Sequence, residues 1–198
     1  SSEPYNYFYF DFTNDTWVDS KQLALPNTST IYNNRCSDKV KENDFLREYV
    51  TNYDFIANIY GLQGLLQEYA SYALESKIEF VCSSLDINNR HIGNTDYDWY
   101  ILMKYMVMES INYIEEKHPT QYEKFMKDTD MIRFLNNTFK EMDYYEEVYS
   151  LYLKSYAFWF DEGIVEWGKE LGVPLTFIEE TVHPSANPTV KVIHPRLF

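Results

Sequence analysis

Phe45, Tyr49, Tyr53, Ala57 and Tyr60 recur at three- and four-residue intervals, the spacing that lines one face of a helix. The pattern predicts a helix that starts at Ser37 or Asn43 and runs to Tyr60, where Gly61 and Gly64 interrupt it. A second helix follows on Leu62, Leu65, Leu66, Tyr69 and Ala73, reaching Ile78 and Val81 ahead of a polar loop from Asp86 to Asn94. Thr95 with Asp98 three residues on supplies a helix start. The next segment is apolar almost all round, from Trp99 through Ile101, Leu102, Met103, Tyr105, Met106, Met108 and Ile111 to Ile114. That composition marks a helix at the centre of the core.

The join after it is short. Pro119 disfavours helical backbone at His118, and Thr120 with Glu123 reads as a capping box for a helix through Phe125, Met126, Ile132, Phe134 and Leu135. Two helices so joined are expected to run antiparallel. Tyr145, Tyr149, Tyr152, Tyr156 and Trp159 then predict one long helix, or two abutting ones, over 139–171. Gly172 suits the left-handed position that closes a helix, and Pro174 blocks continuation.

The two ends of the chain read differently. Residues 5–12 put aromatics on both faces of an extended segment, Asn14 and Asp15 form a turn, and Thr16 to Val18 return as a short second strand. Residues 20–36 read as loop around Pro26, and 175–182 and 189–193 read as strands around Pro184 and Pro188. The expected fold is therefore mainly α (α+β). Four to six helices form a bundle-like core, with a small sheet built from the N- and C-terminal segments. One domain over 1–198 is expected, with strand segments at 1–36 and 173–198 flanking a helical core at 37–172.

Charge changes the picture. The chain has 17 Lys and Arg against 31 Asp and Glu, a formal charge of −14, so its field opposes binding to nucleic acid or an anionic membrane and favours a basic protein partner. The excess is uneven: residues 1–19, 61–100 and 141–198 carry nets of −4, −4 and −6, while the rest is neutral. In the last block Glu141, Asp143, Glu146 and Glu147 cluster, and Glu162, Glu166 and Glu170 follow at four-residue intervals. Like charges at that spacing repel along a helix by roughly 0.2 to 0.5 kcal/mol per pair, an arrangement that stability alone does not favour.

A carboxylate row of this kind can stand in for phosphates. Four helical residues rise about 6 Å, and alternate phosphates of one strand advance about 6.8 Å along a duplex. These seven carboxylates, with Tyr145 and Trp167 as neighbouring aromatic anchors, are the expected contact set for a nucleic-acid enzyme with a basic cleft. A solvated acidic face that aids solubility is the plainer alternative.

Other chemistry is thinly represented. Glu115 with His118, and Glu180 with His183, are two Glu-x-x-His units of the type found in di-metal helical bundles. Each histidine is followed by Pro, which places the first unit at a helix end and the second in a strand-like segment. No metal or other cofactor is expected, nor is an enzymatic signature such as HExxH, GxSxG or a P-loop present. Cys36 and Cys82 read as reduced core thiols. No apolar run approaches the roughly 20 residues of a membrane span, and no basic stretch leads into an apolar one at the N-terminus, so a cytoplasmic protein is expected.

The ten residues from Tyr113 to Tyr122 resemble a segment of small transposon-encoded proteins of unassigned function. The resemblance implies a phage or mobile-element origin and assigns no residue. Taken together, these features lead to the expectation of an acidic, nucleic-acid-mimicking inhibitor that blocks a restriction, CRISPR or similar enzyme. The alternatives are an immunity protein that neutralises a toxin, a carboxylate-bridged di-metal enzyme, and a structural or assembly component. The aromatic surplus also permits a homodimer.

Overall fold

Where a helix begins in this chain is set largely by short polar side chains that accept a backbone N–H three residues ahead. In the computed structural model, which describes residues 7–11, 16–20, 27–52, 54–85, 95–153 and 160–173, the Asn27 side chain accepts from Thr30 and opens α1 (Thr28–Arg35). Ser37 accepts from Val40 and opens α2 (Asp38–Lys41), and Asn43 accepts from Leu46 and opens α3 (Asp44–Thr51). The short α4 (Ile56–Tyr60) ends at Gly61, whose φ is 62°. Gly64 then lets α5 (Leu62–Leu85) pass against the backbone of Ile56 and Ala57, where a Cβ would collide.

These caps correct two sequence expectations. Residues 28–35 are helix and not loop, because Asn27 supplies a cap and Ile31 and Tyr32 are buried. The single helix expected up to Tyr60 is three short ones, because Asn43 stops one and starts the next and a turn follows Asn52. Nine helices lie among the described residues, against the four to six expected, and the difference comes from these short segments.

The centre is α6 (Thr95–Lys117). Residues 100–111 are buried without a break, as its nearly all-round apolar character predicts. It packs mainly against α5, with α1 and α7 (Pro119–Met126) on other sides. Pro119 occupies the first turn of α7, and the His118 side chain makes no capping bond. The helix therefore starts before Thr120, and the expected Thr120–Glu123 capping box gives way to a proline start. Asp128 accepts from Met131 and opens α8 (Thr129–Leu153), so the segment read as one helix through Leu135 divides at that cap. The last helix among the described residues, α9 (Glu162–Glu170), begins after the non-helical Phe160 and Asp161, and residues 154–159 of the expected 139–171 helix lie outside the described residues.

At the N-terminal end β1 (Tyr7–Asp11) and β2 (Thr16–Ser20) form an antiparallel two-stranded sheet in which Phe8 pairs with Asp19 and Tyr9 with Val18. β1 lies along α5 and β2 along α8. The sheet joining both ends of the chain is not supported: the described strands pair only with each other, and residues 175–182 and 189–193 lie outside the described residues. No helix among the described residues is long and apolar enough to cross a membrane.

Candidate functional site: the acidic face of α9

The nine residues of α9 alternate sharply between inside and outside. Gly163, Ile164, Trp167 and Gly168 are buried, while Glu162, Glu166, Lys169 and Glu170 are exposed. Ahead of the helix, Asp161 accepts the backbone N–H of Ile164 through one carboxylate oxygen at 3.0 Å. Its other oxygen accepts from the Asn43 side chain at 2.8 Å. One side chain thus caps the helix and ties it to the start of α3.

Two glycines set how closely α9 approaches the rest. A Cβ at Gly163 would stand 2.5 Å from the carbonyl oxygen of Lys39, and one at Gly168 would overlap the Tyr105 hydroxyl. Trp167 is 2% exposed and fills the space beneath the helix, edge-on to Tyr105 at 5.4 Å between ring centroids. Its indole N–H donates to Glu109 at 3.4 Å, and Arg35 donates to the other oxygen of the same carboxylate at 2.7 Å. Hydrogen bonding to Glu109 raises the Arg35 pKa against the opposing effect of burial, with the charges of Glu109 and Glu116 adding to it. Beyond the helix, Gly172 takes φ 78° and the Tyr105 hydroxyl donates to the Val173 carbonyl at 3.1 Å. The carboxylates on the outer side therefore stand on a fixed support.

Because Gly163 allows contact with α2, Lys39 meets that row. Its ammonium lies 3.0 Å from Glu166 and 3.7 Å from Glu162. Hydrogen bonding to Glu166, reinforced by the charges of both glutamates, raises the Lys39 pKa. The Glu162 side chain remains 79% exposed and that of Glu166 47%, so water competes for the same groups and such a pair contributes little to stability. Across residues 38–42 and 161–170 there are six carboxylates, Asp38, Glu42, Asp161, Glu162, Glu166 and Glu170, against three lysines, Lys39, Lys41 and Lys169.

The other acidic residues singled out from the sequence stand elsewhere. Glu141 pairs with Lys77 of α5. Asp143 and Glu146 turn towards the buried Lys104 of α6 at 3.3 and 3.9 Å, and Glu147 is exposed on α8. Tyr145 is half-buried and stacked on Phe80 at 5.6 Å, and Trp167 lies under the α9 row, not beside it. The seven carboxylates thus divide into three on α8 that face lysines of α5 and α6, the exposed Glu147, and the outward row on α9. Glu115 and His118 lie at the end of α6 and the start of α7, whereas Glu180 and His183 are outside the described residues. Among the described residues no group of three or more His, Cys, Asp or Glu is arranged to hold a metal ion.

Sequence reasoning passed over Lys39, Asp161, Gly163 and the Arg35–Glu109 pair. Asp161 carried a readable signal, a cap residue three positions before Ile164. Lys39 lies 127 positions from Glu166 and had none. No protein-family model, curated protein or solved structure matches the chain.

Proposed function

We propose that the chain is an acidic inhibitor that docks into the basic cleft of a nucleic-acid-binding enzyme, with Glu162, Glu166 and Glu170 as the docking row. An anti-defence role against a restriction or CRISPR enzyme is the form this takes in a phage or mobile element. The observation that carries the reading is the carboxylate surplus on a helix whose inner side is fixed by Asp161, Gly163 and Trp167. A rigid row loses little conformational entropy when it is bound, and its charges favour encounter with a basic partner.

Lys39 fits the same reading. It already holds two of the carboxylates in the way a partner's lysine or arginine would, through water-exposed contacts that a stronger cation can replace. Glu141, Asp143 and Glu146 are left out of the row, since each faces a half-buried or buried lysine, Lys77 or Lys104, whereas the Lys39 that meets Glu162 and Glu166 is exposed.

The test is affinity capture from the source cell at low and high salt with the parent protein and with Glu162→Lys/Glu166→Lys/Glu170→Lys, followed by assay of the captured enzyme. The proposal expects a nucleic-acid enzyme that is held by the parent at low salt, released as salt rises, inhibited by the parent and untouched by the reversal variant. Equal capture and inhibition by both proteins removes the α9 row from the account.

A further inference from the structure

Where α5, α6 and α8 meet, a lysine and one carboxylate are enclosed by tyrosines, and a second carboxylate, Asp143, stands at the edge, 44% exposed. Lys104 and Glu146 are both at least nine-tenths buried, and Tyr69, Tyr97 and Tyr100 are almost wholly so. The Lys104 ammonium donates to Asp143 at 3.3 Å and stands farther from Glu146, at 3.9 Å, without a hydrogen bond to it. It also lies 5.8 Å from the centre of the Tyr100 ring and 5.6 Å from that of Phe139. Glu146 Oε1 has no partner at ordinary hydrogen-bond geometry, although Tyr97 stands close enough to interact with its carboxylate, and Tyr69 with Tyr100.

The groups facing Glu146 are Lys104, Tyr97, Tyr100 and Tyr105 from α6, Tyr69 from α5 and Asp143 from its own helix. Residues 7–11 and 16–20, the strands beside α5 and α8, contain no basic residue. One ammonium therefore serves two carboxylates. An ionised Glu146 would be buried with its facing ammonium already hydrogen-bonded to Asp143, which is itself 44% exposed and can be solvated, so the desolvation cost falls on Glu146. A metal or alkali cation there would be repelled by Lys104. A proton needs no ligand shell and sits on the carboxylate itself.

We propose that Glu146 is a buried proton-binding site: in the folded chain it is a neutral carboxylic acid over part of the pH range in which surface glutamates are ionised, and loss of its proton loosens the junction of α5, α6 and α8. In this form the acid can donate to a neighbouring tyrosine oxygen, and Lys104 is left to Asp143. Burial raises the Glu146 pKa, and the attraction of Lys104 opposes this only in part. A raised folded-state value means that the group's contribution is complete below the ordinary glutamate value and is lost as pH rises through the folded-state value.

Carbon-detected NMR of the glutamate side-chain carboxyls tests the proposal directly on the parent protein, with Glu146 assigned through its own side-chain carbons. The expected result is a Glu146 midpoint above the ordinary value of about 4.3, accompanied over the same pH interval by faster amide exchange in α5, α6 and α8. Glu146→Gln, which imitates the neutral acid, should lose this pH-dependent change while keeping slow exchange. A Glu146 midpoint at or below the ordinary value overturns the proposal, as does an exchange profile that changes with pH identically in parent and variant. If the variant does not fold, the parent titration decides alone.

Discussion

The indole N–H of Trp167 and the carboxylate of Glu109 meet at 3.4 Å beneath α9, with Arg35 of α1 on the far oxygen of the same carboxylate. This one buried acid links three helices. Glu109→Ala is expected to destabilise the chain by about 1 to 3 kcal/mol, since it leaves the buried indole N–H without an acceptor and a half-buried guanidinium with Glu116 alone. Denaturant unfolding measures the loss, and a change below about 0.5 kcal/mol would show that the link is not structural.

The close approach at Gly163 gives a second expectation. A methyl group there meets the Lys39 backbone at 2.5 Å, so either α2 or α9 must shift. Gly163→Ala is expected to cost about 1 to 3 kcal/mol, the range for forcing extra volume into a packed contact. Gly172→Ala, where φ is 78° but nothing lies within 4 Å of the new Cβ, should cost only about 1 kcal/mol, from backbone conformation alone. Paired unfolding curves compare the two, and a larger loss at Gly172 than at Gly163 would contradict the assignment.

Asp98 makes the pH dependence specific. Burial in the first turns of α6 pushes its carboxyl up from 3.8 to about 7. Because the folded value is the higher one, the stabilising contribution is complete below about pH 4 and is lost between there and pH 7. Asp98→Asn should therefore flatten the stability profile over that interval. Its advantage over the parent at pH 8 should reach up to about 4 kcal/mol, at 1.36 kcal/mol for each pKa unit. Thermal or denaturant unfolding from pH 4 to pH 8 checks it, and parallel profiles would refute it.

The long, strongly patterned parts of the fold were legible in the sequence. Within the all-round apolar run from Trp99 to Ile114, residues 100–111 are the buried centre, and Gly172 takes the left-handed conformation expected of it. The short helices were not. Asn27, Ser37 and Asn43 each open a helix of eight residues or fewer, too short for apolar periodicity to register, and only their cap chemistry marks them.

The acidic site was legible in part, for a related reason. Spacing puts Glu162, Glu166 and Glu170 on one side of α9 whatever surrounds them. It cannot say that Glu141, Asp143 and Glu146 face lysines on α5 and α6, because those partners are 39 to 64 positions away in the chain. A helix face is local information. Its neutralisation is tertiary.

Competition between this protein and a nucleic-acid duplex for the captured enzyme tests the α9 docking row. The parent is expected to displace the duplex, more effectively at low salt than at high, and Glu162→Lys/Glu166→Lys/Glu170→Lys, though folded, is expected not to. Simultaneous binding of protein and duplex to the enzyme, or displacement by the reversal variant equal to the parent's, would contradict it.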